Sequence, residues 1–440
     1  MFCSLLTRAR VFSLALVVLG LTVATPAATP DFEVWLIDQS NSAGKAYGGT
    51  IYIYDGSDLN GNDASSATPT DVLDLGAETA DVCFEQTSVN PTRPHMLAFN
   101  STHSHAILTF VASGHVVIYE AATRTPVACV RTSAGAGGQR QAHAAQPTPD
   151  DSYILVANQN GKVVDRIATD YAANTFVLDA TLDLANGVTP NGIPMEFAER
   201  PDNAPIIVVP DASSTLAFVT LRGGGLFVID PTTTPMEILG EYDRTAVHAN
   251  GFGGIESNGQ MLINSGAGGE ATNPSQFEIY RFPLAAYAAS NPPNTPAPDV
   301  MYSDNTVPPA HERDAHGLVA TKNNRYVWVF DRAMRVVEVF DAESFAHVNT
   351  ITLAHPASHH PTPDLADISP SGNRIFVSLR GPNPLSGSAH AATGSNPGVG
   401  VMQVMQGGRT GVLKSVVQIS NLDAAGVERA DPHGIRVRLK

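Results

Sequence analysis

The sequence is poor in charged residues and poorest in basic ones. Only 15% of its 440 residues are charged, with 26 lysines and arginines against 42 aspartates and glutamates, and the net charge is −16. A typical soluble domain is about one quarter charged. So few cations and such an acidic excess exclude a nucleic-acid binder, which needs a basic stripe to neutralise phosphates. A hydrophobic fraction of 43% excludes global disorder.

Long apolar runs are also lacking, except for one at the N-terminus. Arg8 and Arg10 precede the run Val11–Ala24, and small residues follow it. This order predicts a secretory signal peptide over residues 1–28. An uncleaved anchor is the alternative, although the run is short for a membrane span of about 18 residues or more. We therefore expect a secreted or periplasmic protein without a transmembrane segment after signal removal.

Cysteine is scarce, with three residues in the chain. Cys3 lies in the predicted signal peptide, which leaves Cys83 and Cys129 in the exported protein. Because export leads to an oxidising compartment, we expect these two residues to form a disulfide.

Glycine (37 residues) and proline (31 residues) are abundant, which favours short strands joined by tight turns. The chain repeats a pattern of short strand, polar turn and second strand. Six units, each with four alternating strands, start at His95, His143, Ala204, His248, His316 and Asp364. The residues before the first unit form the second and third strands of a blade that lacks its first strand. The C-terminal segment from His433 supplies this missing first strand.

The repeat therefore predicts an all-β fold over residues 29–440: a single seven-bladed β-propeller of four-stranded antiparallel blades, closed by the C-terminal strand in the N-terminal blade. The segments TPDDSYILVANQNG (148–161) and SPSGNRIFVSLRG (369–381) resemble the YVTN-type repeat of the WD40-like and quinoprotein amine dehydrogenase-like propellers. This resemblance implies the fold and leaves the function open, because propellers carry many activities.

One position, seven residues before the first turn of each unit, is rich in histidine. It holds His95, His143, Ala204, His248, His316, Asp364 and His433. The first strand of a propeller blade lines the central channel, so these side chains are expected to converge there. Imidazole and carboxylate groups are ligands of zinc and copper, and three or four suffice. The alternative is a polar channel wall in which the imidazoles bind water and carbonyl groups.

The turns after the second strands are expected at the same rim. They carry Asn158, Arg222, Asp331 and Arg380. Guanidinium groups there would bind a small anionic ligand through a carboxylate or phosphate, or they would tie neighbouring blades together. Long insertions at 183–203, 292–313 and 381–398 make this rim the expected working face.

These features predict a propeller that binds a metal ion or small ligand without turnover. A lactonase-like hydrolase and a scaffold for a partner protein are the alternatives. The sequence has no nucleotide or haem motif, nucleophile elbow or HExxH zinc motif, which favours a binding protein over an enzyme.

Overall fold

The structure is a computed structural model that describes residues 30–200, 202–266, 277–287, 296–304 and 313–440. The predicted signal peptide and most of the insertion at 292–313 lie outside the described residues. Within them the chain forms seven separate four-stranded antiparallel sheets, which confirms the predicted seven-bladed propeller.

Blade 7 contains the N-terminal strands and the C-terminal strand. The N-terminal strands are β1 (Phe32–Asp38), β2 (Thr50–Asp55) and β3 (Asp71–Asp74). The C-terminal strand, β28 (Pro432–Leu439), pairs antiparallel with β1, so that the order in the sheet is β28-β1-β2-β3. The predicted closure of the ring is thus confirmed, and it protects the strand edges that an open array would expose.

The other six blades use consecutive strands, whose bounds are as follows. Blade 1 has β4 (Pro94–Phe99), β5 (His105–Phe110), β6 (His115–Glu120) and β7 (Thr125–Arg131). Blade 2 has β8 (Ala142–Pro147), β9 (Tyr153–Asn158), β10 (Val163–Asp170) and β11 (Thr175–Asp183). Blade 3 has β12 (Pro205–Pro210), β13 (Ala217–Leu221), β14 (Leu226–Asp230) and β15 (Glu237–Tyr242).

Blade 4 has β16 (Gly254–Ser257), β17 (Gln260–Ser265), β18 (Phe277–Pro283) and β19 (Asp299–Asp304). Blade 5 has β20 (Ala315–Ala320), β21 (Tyr326–Asp331), β22 (Val336–Asp341) and β23 (His347–Thr352). Blade 6 has β24 (Pro363–Ile368), β25 (Arg374–Leu379), β26 (Gly398–Met405) and β27 (Thr410–Gln418).

Burial follows the position of a strand in its blade. The second strands β5 and β25 are buried at every residue, because neighbouring blades cover both faces. The outer strand β11 instead alternates between exposed and partly buried residues, as a half-solvated strand does. The turn before β9 is closed locally: Asp150 Oδ1 accepts hydrogen bonds from Thr148 Oγ1 at 2.6 Å and from Ser152 N at 3.1 Å.

Four short helices interrupt the blades: α1 (Gly56–Leu59), α2 (Leu75–Glu78), α3 (Ala80–Thr87) and α4 (Ala389–Ala392). Cys83 of α3 and Cys129 of β7 form a disulfide, as predicted. The backbone N–H of Cys129 also donates to Gln86 Oε1 at 2.9 Å. Together these contacts fix α3 against blade 1. In the described part of the chain, every helix is too short to cross a membrane.

Replacing both Cys83 and Cys129 with alanine is expected to lower the free energy of unfolding by about 2–4 kcal/mol, because the bond closes a loop of 46 residues in the unfolded chain. Urea denaturation of the oxidised wild type, the reduced wild type and the double variant measures this. The reduced wild type should match the variant. Equal stability of all three proteins would contradict a stabilising disulfide.

Candidate metal centre

The candidate site is built from the second residue of the first strand of a blade. In five blades this residue is His95, His143, His316, Asp364 or His433. In all five, the register between the first and second strands shifts beside it. A β-bulge of this kind bends the strand and redirects a side chain. Five of the six predicted metal ligands are therefore brought together in the channel.

His248 does not belong to this ring. In blade 3 the equivalent position is Ile206, the second residue of β12, instead of Ala204. In blade 4 it is Phe252, which precedes the pair Gly254–Ile263 by two residues as His95 precedes the pair Leu97–Leu108, instead of His248. The side chain of His248 is 45% exposed, and its Nδ1 lies 2.7 Å from Glu278 Oε2. The prediction of His248 as a ligand is corrected accordingly. The prediction was wrong because the chain enters β16 irregularly, with additional residues between His248 and the strand.

The five side chains form a continuous cluster in blade order. His316 Nε2 lies 2.8 Å and His433 Nε2 lies 3.7 Å from the same oxygen, Asp364 Oδ1. The rings of His433 and His95 have centroids 3.7 Å apart, and His95 Nε2 is 3.3 Å from His143 Nε2. His143 is partly exposed, and the other four residues are buried.

Asp364 is the only carboxylate of the cluster, and its two oxygens have different surroundings. Oδ2 accepts a hydrogen bond from Arg380 Nη1 at 2.6 Å and from Arg332 Nη1 at 3.4 Å. Oδ1 faces the two histidines. Burial raises the pKa of Asp364, but the positive charges around it, those of Arg332 and Arg380 among them, outweigh this effect and hold the pKa well below its usual value. The group is therefore ionised at neutral pH.

Three histidines of the cluster have lowered pKa values. Burial lowers the pKa of His143 to about 4 and holds those of His95 and His433 well below their ordinary value. Neighbouring positive charges act in the same direction. These imidazoles are therefore neutral at pH 7, and the neutral form is the one that binds a metal ion.

The described residues contain one group that meets the geometry of a metal site. His316, Asp364 and His433 each offer a ligand atom, and these atoms lie within 4.8 Å of one another. In a tetrahedral zinc site with bonds of about 2.0–2.1 Å, ligand atoms are about 3.3 Å apart. In addition, Asp364 Oδ1 is buried and makes no well-aligned hydrogen bond, although His316 Nε2 lies 2.8 Å from it. Buried polar atoms rarely lack a partner, so this oxygen fits a metal ion.

The cluster separates two cavities of the channel. One, of about 230 Å³, is lined by His95, His143, His316, His433 and arginine side chains, and we call it the upper cavity. The other, of about 200 Å³, is more apolar. His316 and Phe252 line both cavities. The upper cavity therefore gives access to the candidate ligands.

Three of the four predicted ligand-binding residues have structural partners instead. Arg380 is fully buried and pairs with Asp364 and Asp431. Asn158 Nδ2 donates to Ser133 O and Asp165 Oδ2.

Asp331, the third of these residues, is buried and pairs with Arg313 at 2.6 Å. Burial raises its pKa, although Arg313 opposes this effect. Only Arg222 faces the upper cavity, with 43% of its side chain exposed. It pairs with Asp202. The tie between blades, which the sequence left open as an alternative, is the arrangement that Arg380 adopts.

Sequence reasoning missed Arg93 and Phe252, which also line the upper cavity together with Arg332 of the turn after β21. A second position, two residues before each ring residue, holds a signal for Arg93. It carries Arg93, Gln141, Ala204, Asn250, Asp314, Thr362 and Asp431. Of these, Asp314 holds Arg332 at 2.7 Å and Asp431 holds Arg380 at 2.6 Å. Arg93 is the one cation of the set.

No family model and no curated protein matches this chain. Several solved structures match it in fold. A Lactobacillus plantarum protein is 11% identical, covers 92% of this chain and 99% of its own, and has a TM-score of 0.54. A candidate 6-phosphogluconolactonase of Bacteroides fragilis is 12% identical, covers 94% of this chain and 99% of its own, and has a TM-score of 0.53.

A third similar structure is the β-propeller domain of Cps50 (Swd1) from Myceliophteria thermophila. It is 10% identical, covers 78% of this chain and 96% of its own, and has a TM-score of 0.51. At these identities the likeness establishes the propeller fold alone. The YVTN-type assignment stays a prediction from the repeat residues.

Replacing Arg380 with methionine is expected to lower the free energy of unfolding by about 3–5 kcal/mol, because Asp431 would be left buried without its cation and Asp364 with only the longer contact to Arg332. Arg222→Met, which removes a partly exposed ion pair, should cost less than about 1 kcal/mol. Denaturant unfolding of both variants tests the difference. Similar losses for the two would refute the distinct roles assigned to these arginines.

Proposed function

We propose that this exported propeller binds a transition metal ion, zinc or copper, at the cluster of His316, Asp364 and His433. The observation that carries the proposal is the convergence of three buried ligand atoms within 4.8 Å of one another, where Asp364 Oδ1 makes no well-aligned hydrogen bond. Two imidazoles and one carboxylate are a donor set that zinc accepts, with a fourth position left open.

The charge around the cluster supports a cation. Arg332 and Arg380 are the two guanidinium groups that pair with Asp364, and their further partners are Asp314 and Asp431. Within these ion pairs, two guanidinium groups serve three carboxylates. Since charge in an interior must be balanced, a bound cation stabilises this arrangement.

His95 and His143 supply additional donors beside the main group. His95 Nδ1 lies 2.8 Å from Gln39 Oε1, and His143 Nδ1 lies 2.7 Å from Ile206 O. Each of these contacts makes Nδ1 the donor and leaves Nε2 as an acceptor, directed at the neighbouring imidazole. Such partners fix the tautomer of a metal-binding histidine.

Hydrolysis of a lactone is the second candidate function. A metal ion with an open position activates water, and the open position here would face the upper cavity. The fold similarity to the candidate 6-phosphogluconolactonase favours testing this substrate class. A role as a protein scaffold, which propellers often serve, would not require the buried donor set.

The metal proposal is tested with protein purified without a histidine tag and stripped of metal. Calorimetric titration with zinc and copper is expected to give one ion per chain with a dissociation constant below micromolar. His316→Ala and His433→Ala should each weaken binding by about 100-fold or more, since even second-shell changes cost about 10–100-fold.

His248→Ala is the matched control, because this histidine pairs with Glu278 outside the cluster. It should bind metal as the wild type does. Circular dichroism and thermal unfolding verify that all variants fold. If the wild type binds neither metal below micromolar, or if His248→Ala is as defective as His433→Ala, the proposal fails. A lactone hydrolysis assay of the metal-loaded protein separates binding from turnover.

A further inference from the structure

Arg93 differs from the other buried arginines around the channel. Arg313, Arg332 and Arg380 each pair with at least two carboxylates. Arg93 is partly buried, yet its side chain makes no ion pair with any described residue. Its Nε is buried without a hydrogen-bond partner, and Asp431, a carboxylate whose charge acts on it, is already paired with Arg380. Such a group is costly unless something neutralises it.

The position of Arg93 suits a ligand-binding role. It lines the upper cavity and also a wider groove of about 600 Å³ on the rim, so that it lies where the two meet. It precedes His95 by two residues. Its backbone has a φ of +61°, a left-handed conformation that non-glycine residues seldom adopt and that is enriched at functional sites.

A second cation faces the same cavity. Arg222 lines it with 43% of its side chain exposed, and it shares Asp202 with Lys162, whose Nζ is 3.2 Å from that carboxylate. One carboxylate therefore neutralises only one of two cations. Both Arg93 and Arg222 help to lower the pKa of His143, after burial, which means that both lie near this ring.

We propose that the upper cavity binds a small oxyanion, a carboxylate or phosphate group, between Arg93 and Arg222. The inference rests on the proposed metal site in one respect: the same oxyanion would occupy the open coordination position beside His95 and His143. Guanidinium groups bind such planar or tetrahedral oxyanions through paired, charge-assisted hydrogen bonds. A volume of about 230 Å³ restricts the ligand to a small molecule.

The test titrates malonate and inorganic phosphate separately into metal-free and metal-loaded protein, from which excess metal has been removed. At least one anion should bind the metal-loaded wild type with a dissociation constant below about 1 mM. Arg93→Gln should weaken this binding by about tenfold or more, which corresponds to the loss of one charge-assisted contact. Arg409→Gln, a change at an exposed arginine outside the cavity, is the control and should have no effect. Preference for malonate or for phosphate identifies the oxyanion class.

The metal affinity of Arg93→Gln distinguishes a ligand-binding residue from a structural one. Removing a positive charge near the cluster should leave zinc binding unchanged or tighten it, whereas a distorted site would bind both zinc and anion more weakly. Equal anion binding by Arg93→Gln and wild type, no anion binding below about 10 mM, or parallel loss of zinc binding overturns the proposal. Arg93-dependent anion binding in a protein that binds no metal would support the oxyanion site and refute the metal site alone.

Discussion

The carboxylate of Asp364 is the group on which the centre of this propeller depends. It is fully buried, and it stays ionised because arginines from two blades bind one of its oxygens. Arg332 extends from the end of β21 in blade 5, and Arg380 from the end of β25 in blade 6, where it also reaches Asp431 of blade 7. The same network therefore joins three blades and leaves the second oxygen directed at His316 and His433.

The donors lie in a row instead of a full ring because two consecutive blades carry apolar residues at the shared position. His316, Asp364, His433, His95 and His143 come from blades 5, 6, 7, 1 and 2, which are consecutive around the closed ring. Blades 3 and 4 contribute Ile206 and Phe252 at the same position. Phe252 packs on His316, with ring centroids 4.2 Å apart. The channel thus has a donor side and an apolar side, and closure by β28 is what makes the donor side continuous.

The repeat in the sequence was sufficient to predict the fold and to assign five of the six candidate ligands to one position in the blades. Its turns set the strand positions, and a fixed distance from a turn is the same position in each blade. The alignment was wrong in blades 3 and 4, where Ala204 and His248 lie two and four residues before the true positions, Ile206 and Phe252. The partners of Arg380 and Asn158 were not predictable, since they come from segments distant in sequence.

Charge is distributed unevenly along the channel, and this links the two proposed ligands. The network around Asp364 has two guanidinium groups for three carboxylates. The upper cavity has the opposite balance, because Arg93 makes no ion pair of its own with a described residue, and Arg222 and Lys162 share one carboxylate. A cation at the cluster and an oxyanion in the cavity would neutralise both excesses at once. Since interactions between charges are strong where water is largely excluded, each ligand is expected to favour the binding of the other.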